Sequence, residues 1–289
     1  MVVLAAAGEA AALPQMKVRA TRAYEKNPAA TRGALAWGQA PRSRPNAFAV
    51  FARRGGQRFH VSRPGRLAGV WAGAWNAGKL VYSELSGGAS NLWFFNPATR
   101  RRARPPQGVN TSLSENGASR SGRWLLFRRT NFGTSTERII LFNLATHRQR
   151  LLAKTVGRRY AQPGTVAGDY ATFFRCPGPR TCRGFRHHIP SNTTIAVPNP
   201  FRASQFAVSV TRNGAVYLAE SSNVFCGAGR RLVRYFGGGR RVLLVFGPRQ
   251  DPALTSPVVN PNGSTAVFYD RFNCRTDASD LYKVVIPPP

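Results

Sequence analysis

A glycine followed by a short apolar run occurs six times at nearly even spacing. The runs read GALAW from Gly33, GKLVYSE from Gly78, GRWLLFR from Gly122, GDYATFFR from Gly168, GAVYLAE from Gly214 and GSTAVFYD from Gly263. The intervals are 45, 44, 46, 46 and 49 residues. A second marker keeps the same period: FNPATRRR begins at Phe95 and FNLATHRQR at Phe142, 47 residues on. A period of this size marks a repeat architecture, in which one copy alone cannot bury its apolar faces and neighbours must cover them.

Each unit has one internal grammar. In the second, GVWAGAW reads as a short strand ending at the turn NAG, and KLVYSEL as the next. The loop SGGAS, the strand NLWFF, the turn NPAT and a last segment from Arg100 follow. Asn, Pro and Gly at the junctions supply turn dihedrals, and the runs between them are rich in β-formers. No sustained helical periodicity appears outside the extreme N-terminus. Four strands in about 45 residues is the size of a propeller blade. The expectation is an all-β, six-bladed β-propeller with strands A to D from inside to outside. The B strands start near 33, 78, 122, 168, 214 and 263.

The turn in SPVVNPNGSTAVFYD, at Asn260, Pro261, Asn262 and Gly263, resembles the Ser-Pro-Asp-Gly turn of the TolB-like, WD40-like (PD40) propeller repeat. The other five units share only the glycine and the strand after it. The resemblance spans about residues 31–286. It implies a six-bladed propeller, often periplasmic or secreted, and often a platform for protein interactions. It implies no shared catalytic residues.

The ends are unequal. The last unit reaches strand C at Asp280–Ile286 and then runs into PPP, which cannot donate to a ladder. Its D strand is therefore missing. The first unit begins with strand B at Gly33, leaving 15–32 unassigned. Gln15–Tyr24, QMKVRATRAY, is predicted to close the ring as the outer strand of the last blade. The alternative is a disordered leader. Residues 1–14 read as a leader or the remnant of a secretory signal, and 15–289 as a single propeller domain. VVLAAAGEAAAL is apolar but for Glu9 and too short to span a bilayer, and it lacks a basic segment before it.

Charge limits the choice of partner. Lys plus Arg number 42 against 11 Asp plus Glu, a net +31, and only five of the 42 are Lys. Such a balance favours anionic partners: an envelope polymer, lipid headgroups, an acidic protein or nucleic acid. A GC-rich genome would also raise the Arg count, but it explains the shortage of acids less well. The C–D hairpins collect the arginines. Arg53, Arg54 and Arg58 fall in the first, Arg100, Arg101, Arg102 and Arg104 in the second, Arg148 and Arg150 in the third, and Arg240 and Arg241 in the fifth. In a propeller the C–D and A–B turns share one face and the B–C loops the other. The arginines are therefore expected as an incomplete basic arc on one rim, opposite the cysteines and the acids at the ends of the B strands. A solvated rim is the simpler reading.

The four cysteines, Cys176, Cys182, Cys226 and Cys274, fall in B–C loops. Cys226 and Cys274 occupy equivalent loops of neighbouring blades. The expected bonds are Cys176–Cys182 and Cys226–Cys274, which belong to an oxidising compartment and so to an exported protein. Zinc held by these cysteines with His187 or His188 is the rival, but C-x5-C is not a usual zinc spacing. Four free buried thiols in a cytosolic protein is a third reading. Cysteine placement disfavours a cytosolic nucleic-acid binder.

Catalytic patterns are sparse. No His-Glu-x-x-His, Gly-x-Ser-x-Gly or phosphate-cradling glycine loop occurs. His60 and His147 lie near C–D turns, where a solvated His is the default. Glu84, Glu220 and Asp270 stand near the ends of B strands, with Arg128 and Arg175 at matching positions. Together they could bind a sugar or supply a general acid and base. Solvated strand ends are the simpler reading. Calcium at Asp270, Asp277 and Asp280 lacks the regular spacing of a known loop. Trp37, Trp71, Trp75 and Trp124 read as blade core rather than as a base-stacking platform. The leading expectation is a monomeric, exported, non-catalytic binding platform without cofactor or metal. The competitor is a propeller lyase or hydrolase acting on an acidic carbohydrate.

Overall fold

The computed structural model describes residues 13–288, except 20, 22, 179, 180, 222–229, 248 and 277. All regular elements among the described residues are strands, and they form six antiparallel sheets. Blade 1 runs Tyr24–Thr31, Ala34–Ala40, Ala49–Arg54, Gln57–His60. Blade 2 has an inner strand broken into Ala68–Gly69 and Trp75–Asn76, then Lys79–Ser86, Ala89–Asn96 and Arg101–Ala103. Blade 3 runs Ser114–Ser121, Trp124–Asn131, Thr136–Asn143, Gln149–Val156, and blade 4 Tyr160–Ala167, Tyr170–Gly178, Thr181–His188, Thr193–Ala196. Blade 5 runs Ser204–Val210, Val216–Ser221, Arg230–Phe236, Gly239–Phe246. Blade 6 runs Gln250–Val259, Thr265–Asn273, Ala278–Ile286, with Gln15–Arg19 as its outer strand. The inner strands touch their neighbours all the way round. The molecule is a six-bladed β-propeller closed by its N-terminal strand.

The repeated glycine explains itself at the A–B turn. Gly33, Gly78, Gly122, Gly168, Gly214 and Gly263 all have positive φ, between 55° and 82°. A side chain there would be strained, so the turn selects glycine six times over. The strand after each turn is sandwiched between neighbouring blades. Val216–Ser221 is buried along its whole length. The cores accordingly lie between blades: Leu125 and Phe127 of blade 3 share a cluster with Leu80 and Tyr82 of blade 2 and Val50 of blade 1.

Two readings are corrected here. Tyr24–Thr31, within the stretch left unassigned, is the inner strand of blade 1. GVWAGAW is not a continuous strand, because its middle leaves the ladder between Gly69 and Trp75. The cause is visible in the other five blades. Each inner strand carries a register shift at the same place, between Lys26/Ala29, Asn116/Ser119, Pro163/Val166, Phe206/Ser209 and Pro252/Thr255. Such a bulge bends the strand around the axis. Blade 2 makes the same bend by breaking the strand.

Hydroxyls at the bulges join the blades. Ser119 Oγ donates to Gly73 O (3.2 Å) and accepts from Val166 N (2.9 Å), linking blades 2, 3 and 4. Thr165 Oγ1 accepts from Val210 N at 2.7 Å, and Ser209 and Thr255 hydroxyls meet at 2.6 Å. Ser256 Oγ accepts from Ala30 N at 2.9 Å. Neighbouring inner strands approach closely at these bulges. A Cβ at Gly164 would lie 2.0 Å from Val208 O.

Ring closure follows the sequence expectation over Gln15–Arg19, whereas Tyr24, placed in the same strand from the sequence, begins the inner strand of blade 1. Gln15 pairs with Val284, Met16 with Lys283 and Lys17 with Tyr282. The leader falls mostly outside the described residues, which begin at 13.

Candidate functional site: an arginine-lined face

The C–D arginines divide into two groups. Arg53, Arg54, Arg100, Arg101, Arg104, Arg148 and Arg241 are exposed. Arg58, Arg100, Arg101 and Arg102 come together with His60 around a cleft of about 530 Å³ between blades 1 and 2. No carboxylate lines that cleft among the described residues. Burial, then the Arg58 charge, push the His60 pKa below its usual value. Trp93 beside the cleft carries the guanidinium of Arg102 at 4.6 Å, Arg63 at 5.4 Å and Arg104 at 5.7 Å from its ring centre.

The other arginines are used internally. Arg102 Nη1 donates to buried Glu84 at 3.1 Å and to Tyr82 Oη at 3.2 Å. Arg240 Nη2 donates to buried Glu220 at 2.7 Å, and Tyr235 Oη donates to the same carboxylate at 2.6 Å. Burial, then Glu220, raise the Tyr235 pKa well above its usual value. The arc and the B-strand acids were expected on opposite faces. They meet instead, because an arginine on strand D is long enough to reach diagonally over strand C to strand B. Four blades repeat this staple: Arg58 Nη2 donates to Gln39 Oε1 at 3.1 Å in blade 1, and blade 3 reverses the roles, Arg129 Nη1 donating to Gln149 Oε1 at 3.3 Å.

The five B-strand residues therefore do not share a pocket wall. Asp270 is buried and accepts from Asn27 N of blade 1 at 3.3 Å. Arg128 donates to Asn116 Oδ1 (2.9 Å) and Glu137 Oε1 (3.2 Å). Arg175 is exposed, 4.5 Å over the Phe185 ring. Of the calcium candidates, Asp270 is so engaged, Asp280 pairs with Lys17 at 2.8 Å, and Asp277 lies outside the described residues. No group of three His, Cys, Asp or Glu suited to a metal occurs among the described residues.

Cys176 and Cys182 are bonded across the B–C hairpin of blade 4 and buried. That removes them from any zinc set. Cys274 is disulfide-bonded. The Cys226–Cys274 pairing lies outside the described residues, because 222–229 includes Cys226.

Arg150 turns inward. Its Nη1 donates to Ile189 O at 3.0 Å and to His187 Nε2 at 3.3 Å. With Nε2 accepting, His187 carries its proton on Nδ1 and donates to Thr194 Oγ1 at 2.9 Å. Burial, then Arg150 and His188, push the His187 pKa down from 6.5 to about 4. A folded-state pKa below the unfolded one means that the unfolded chain binds more protons between those values. The contribution is complete above pH 6.5 and is lost as pH falls toward about 4. Urea unfolding at pH 7, 5.5 and 4 should show an acid loss on the order of 3 kcal/mol from this residue. His187→Gln should lack that portion of the loss, and an unchanged pH profile would remove His187 as its source.

A third feature escaped the sequence reading. The A–B turn end of the central channel opens into a cavity of about 470 Å³ bordered by Arg32 and Arg212. They stand one and two residues before the repeated glycine in blades 1 and 5. That spacing was available as a signal.

Structural relatives agree with the architecture. TolB from Acinetobacter baumannii superposes with a TM-score of 0.58 at 13% identity, over 91% of this chain. This chain spans 63% of the length of that one. A putative TolB from Agrobacterium tumefaciens gives 0.58 at 11% identity, over 92% of both chains. A protein of unknown function from Dyadobacter fermentans gives 0.61 at 10% identity, over 95% of this chain and 99% of that one. At such identities the likeness is one of fold: the chain has a TolB-like propeller fold. No protein-family model and no curated protein sequence matches it. The PD40 resemblance thus rests on the Asn260–Gly263 turn, where Gly263 N donates to Asn260 O at 3.1 Å.

Proposed function

We propose that this protein is an exported, non-catalytic β-propeller whose arginine rim docks an anionic envelope component or an acidic protein surface. The observation that carries the reading is the cleft between blades 1 and 2, where Arg58, Arg100 and Arg101 gather beside the Glu84-paired Arg102 with no carboxylate on the described wall. Exposed guanidiniums held a few ångströms apart repel little in water, and a polyanion laid across them releases its counterions on binding. Arginine forks also suit carboxylate and phosphate geometry. The Cys176–Cys182 bond supports export, since such bonds persist in oxidising compartments. No helix among the described residues is long and apolar enough to cross a membrane. Burial of Glu84 and Glu220 in arginine pairs weighs against the carbohydrate-enzyme alternative.

Variant design follows from the two groups of arginines. Arg102 must stay, because it holds Glu84. The triple variant Arg100→Gln, Arg101→Gln, Arg104→Gln should weaken binding to heparin, used as a model polyanion, at least tenfold near 0.1 M salt. The slope of log affinity against log salt should fall by roughly two to three, about one per lost contact. Unchanged affinity and slope would reduce the rim to a solvated edge.

A further inference from the structure

We propose that the slot between the outer halves of blades 4 and 5 is a second, separate site, built for an amphipathic carboxylate. The slot arises from unequal outer strands. Blade 4 ends in the four residues Thr193–Ala196, whereas the outer strand of blade 5, Gly239–Phe246, has eight. Pro198 and Pro200 follow the short strand and stop its ladder. The hairpin opposite is Gly237, Gly238 and Gly239, and a Cβ at Gly237 or Gly238 would meet nothing within 4 Å. What remains between the two blades is a cavity of about 370 Å³.

Strand register shows which side chains face it. Val216 pairs with Tyr235, and both belong with Val197 to the cluster packed between the two blades. Ile195 lies two residues before Val197 and pairs with Arg186, so both share that face. The walls are therefore apolar: Ile195 and Val197 on one side, Val216 and Tyr235 on the other. Ile195 is 47% exposed, an apolar side chain left uncovered at the lip.

Arg186 closes the end nearest the A–B turn of blade 5. It crosses from blade 4, and its Nη1 donates to Gly214 O at 2.9 Å, with the guanidinium 5.3 Å from the Tyr170 ring centre. Gly214 stands two residues before Val216, so the guanidinium meets the same wall as the cavity. Among the described residues, Arg186 makes no ion pair and no carboxylate lines the slot. Glu220, the acid in the same gap, is taken up by Arg240 and Tyr235. A guanidinium has five donors, and a carboxylate engages two of them as a fork. One cation at the end of an apolar slot calls for one negative charge on an apolar body. The volume suits a small molecule rather than a polymer.

This site is independent of the rim arginines of blade 2. Titration calorimetry with octanoate in about 0.1 M salt, where long-range attraction is screened, should find one site per chain. Octanol lacks the charge and acetate lacks the apolar body, so each should bind at least tenfold more weakly. Arg186→Gln should weaken octanoate at least tenfold and leave octanol nearly unchanged. Ile195→Trp fills the slot from an exposed position that folding does not depend on, and should abolish octanoate binding. The rim variant Arg100→Gln, Arg101→Gln should bind octanoate as the wild type does. Absence of saturable one-to-one octanoate binding would overturn the proposal. So would wild-type affinity in both slot variants, or an equal loss in the rim variant.

Discussion

Removal of residues 1–19 should lower the melting temperature by about 10 °C. Among the described residues, the outer strand Gln15–Arg19 is what covers the edge of Ala278–Ile286 in blade 6. Without it, a row of backbone donors and acceptors faces solvent beside an otherwise paired sheet. Side-chain anchors would go with the strand. Tyr269 Oη donates to Gln15 Oε1 at 2.6 Å, and Lys17 pairs with Asp280 at 2.8 Å. Val18 packs against the Trp37 and Leu281 cluster between blades 6 and 1. Arg19 pairs with Glu25 at 2.8 Å and lies 4.6 Å over the Trp37 ring. Glu25 is fully buried, and burial already raises its pKa, so losing Arg19 would leave it without its cation. The exposed Lys17 pair adds little. Losing the buried pair and the packing amounts to roughly 3–5 kcal/mol. A chain of this size shifts by about 2–4 °C per kcal/mol. A scanning calorimetry trace that does not move would mean the ring holds without this strand.

The architecture was legible because one geometric demand recurs. Only glycine tolerates the positive φ of the A–B turn, so the turn prints itself six times into the sequence. The inner strands were harder to read. Tyr24–Thr31 contains Pro28 beside Asn27, whose φ is +57°, and reads as a breaker rather than a strand. Its real determinant is the bulge at Lys26/Ala29, which requires an irregular residue at that point. Trp71, read as blade core, is only partly buried: where the strand around it breaks it leaves its own blade, packs beside Ala207 and Phe206 of blade 5 and donates its Nε1 to Pro163 O of blade 4 at 2.9 Å.

Site residues were legible as types and misjudged as partners. The arginines and the B-strand acids stood out separately, and loop position suggested opposite faces. Two facts hidden from a strand list join them. Arg102 follows Glu84 by 18 residues and Arg240 follows Glu220 by 20, an offset that varies only with hairpin length once the three-strand register is known. The offset is a property of tertiary register, not of local pattern. It also neutralises two arginines with internal carboxylates, which leaves the unpaired charge of the cleft to Arg58, Arg100 and Arg101. The channel arginines went unnoticed because each sits alone in its unit, and only the closed ring brings them to one cavity.

Blade 3 holds the pair whose disruption should cost most. Arg129 is 8% exposed and Glu115 fully buried, and Arg129 Nε donates to Glu115 Oε1 at 2.8 Å. Arg129 Nη2 also donates to Gly108 O (2.8 Å) and Val109 O (2.9 Å), closing the loop that enters the blade. Thr111 Oγ1 donates to the same carboxylate at 2.7 Å. Arg129→Met keeps most of the volume but strands a buried carboxylate and two carbonyls. Removing one partner of a buried pair costs about 3–5 kcal/mol, whereas removing both with matched volume is far cheaper. Arg129→Met should therefore lower the melting temperature by about 10 °C. The double variant Arg129→Met, Glu115→Gln should recover part of that loss, a non-additivity expected of contacting residues. Arg129→Lys should fall between wild type and Arg129→Met, since an ammonium restores the charge but cannot span the carboxylate and both carbonyls as a planar fork does. Equal melting temperatures for the single and double variants would show that Arg129 acts through the Gly108 and Val109 carbonyls rather than by neutralising Glu115.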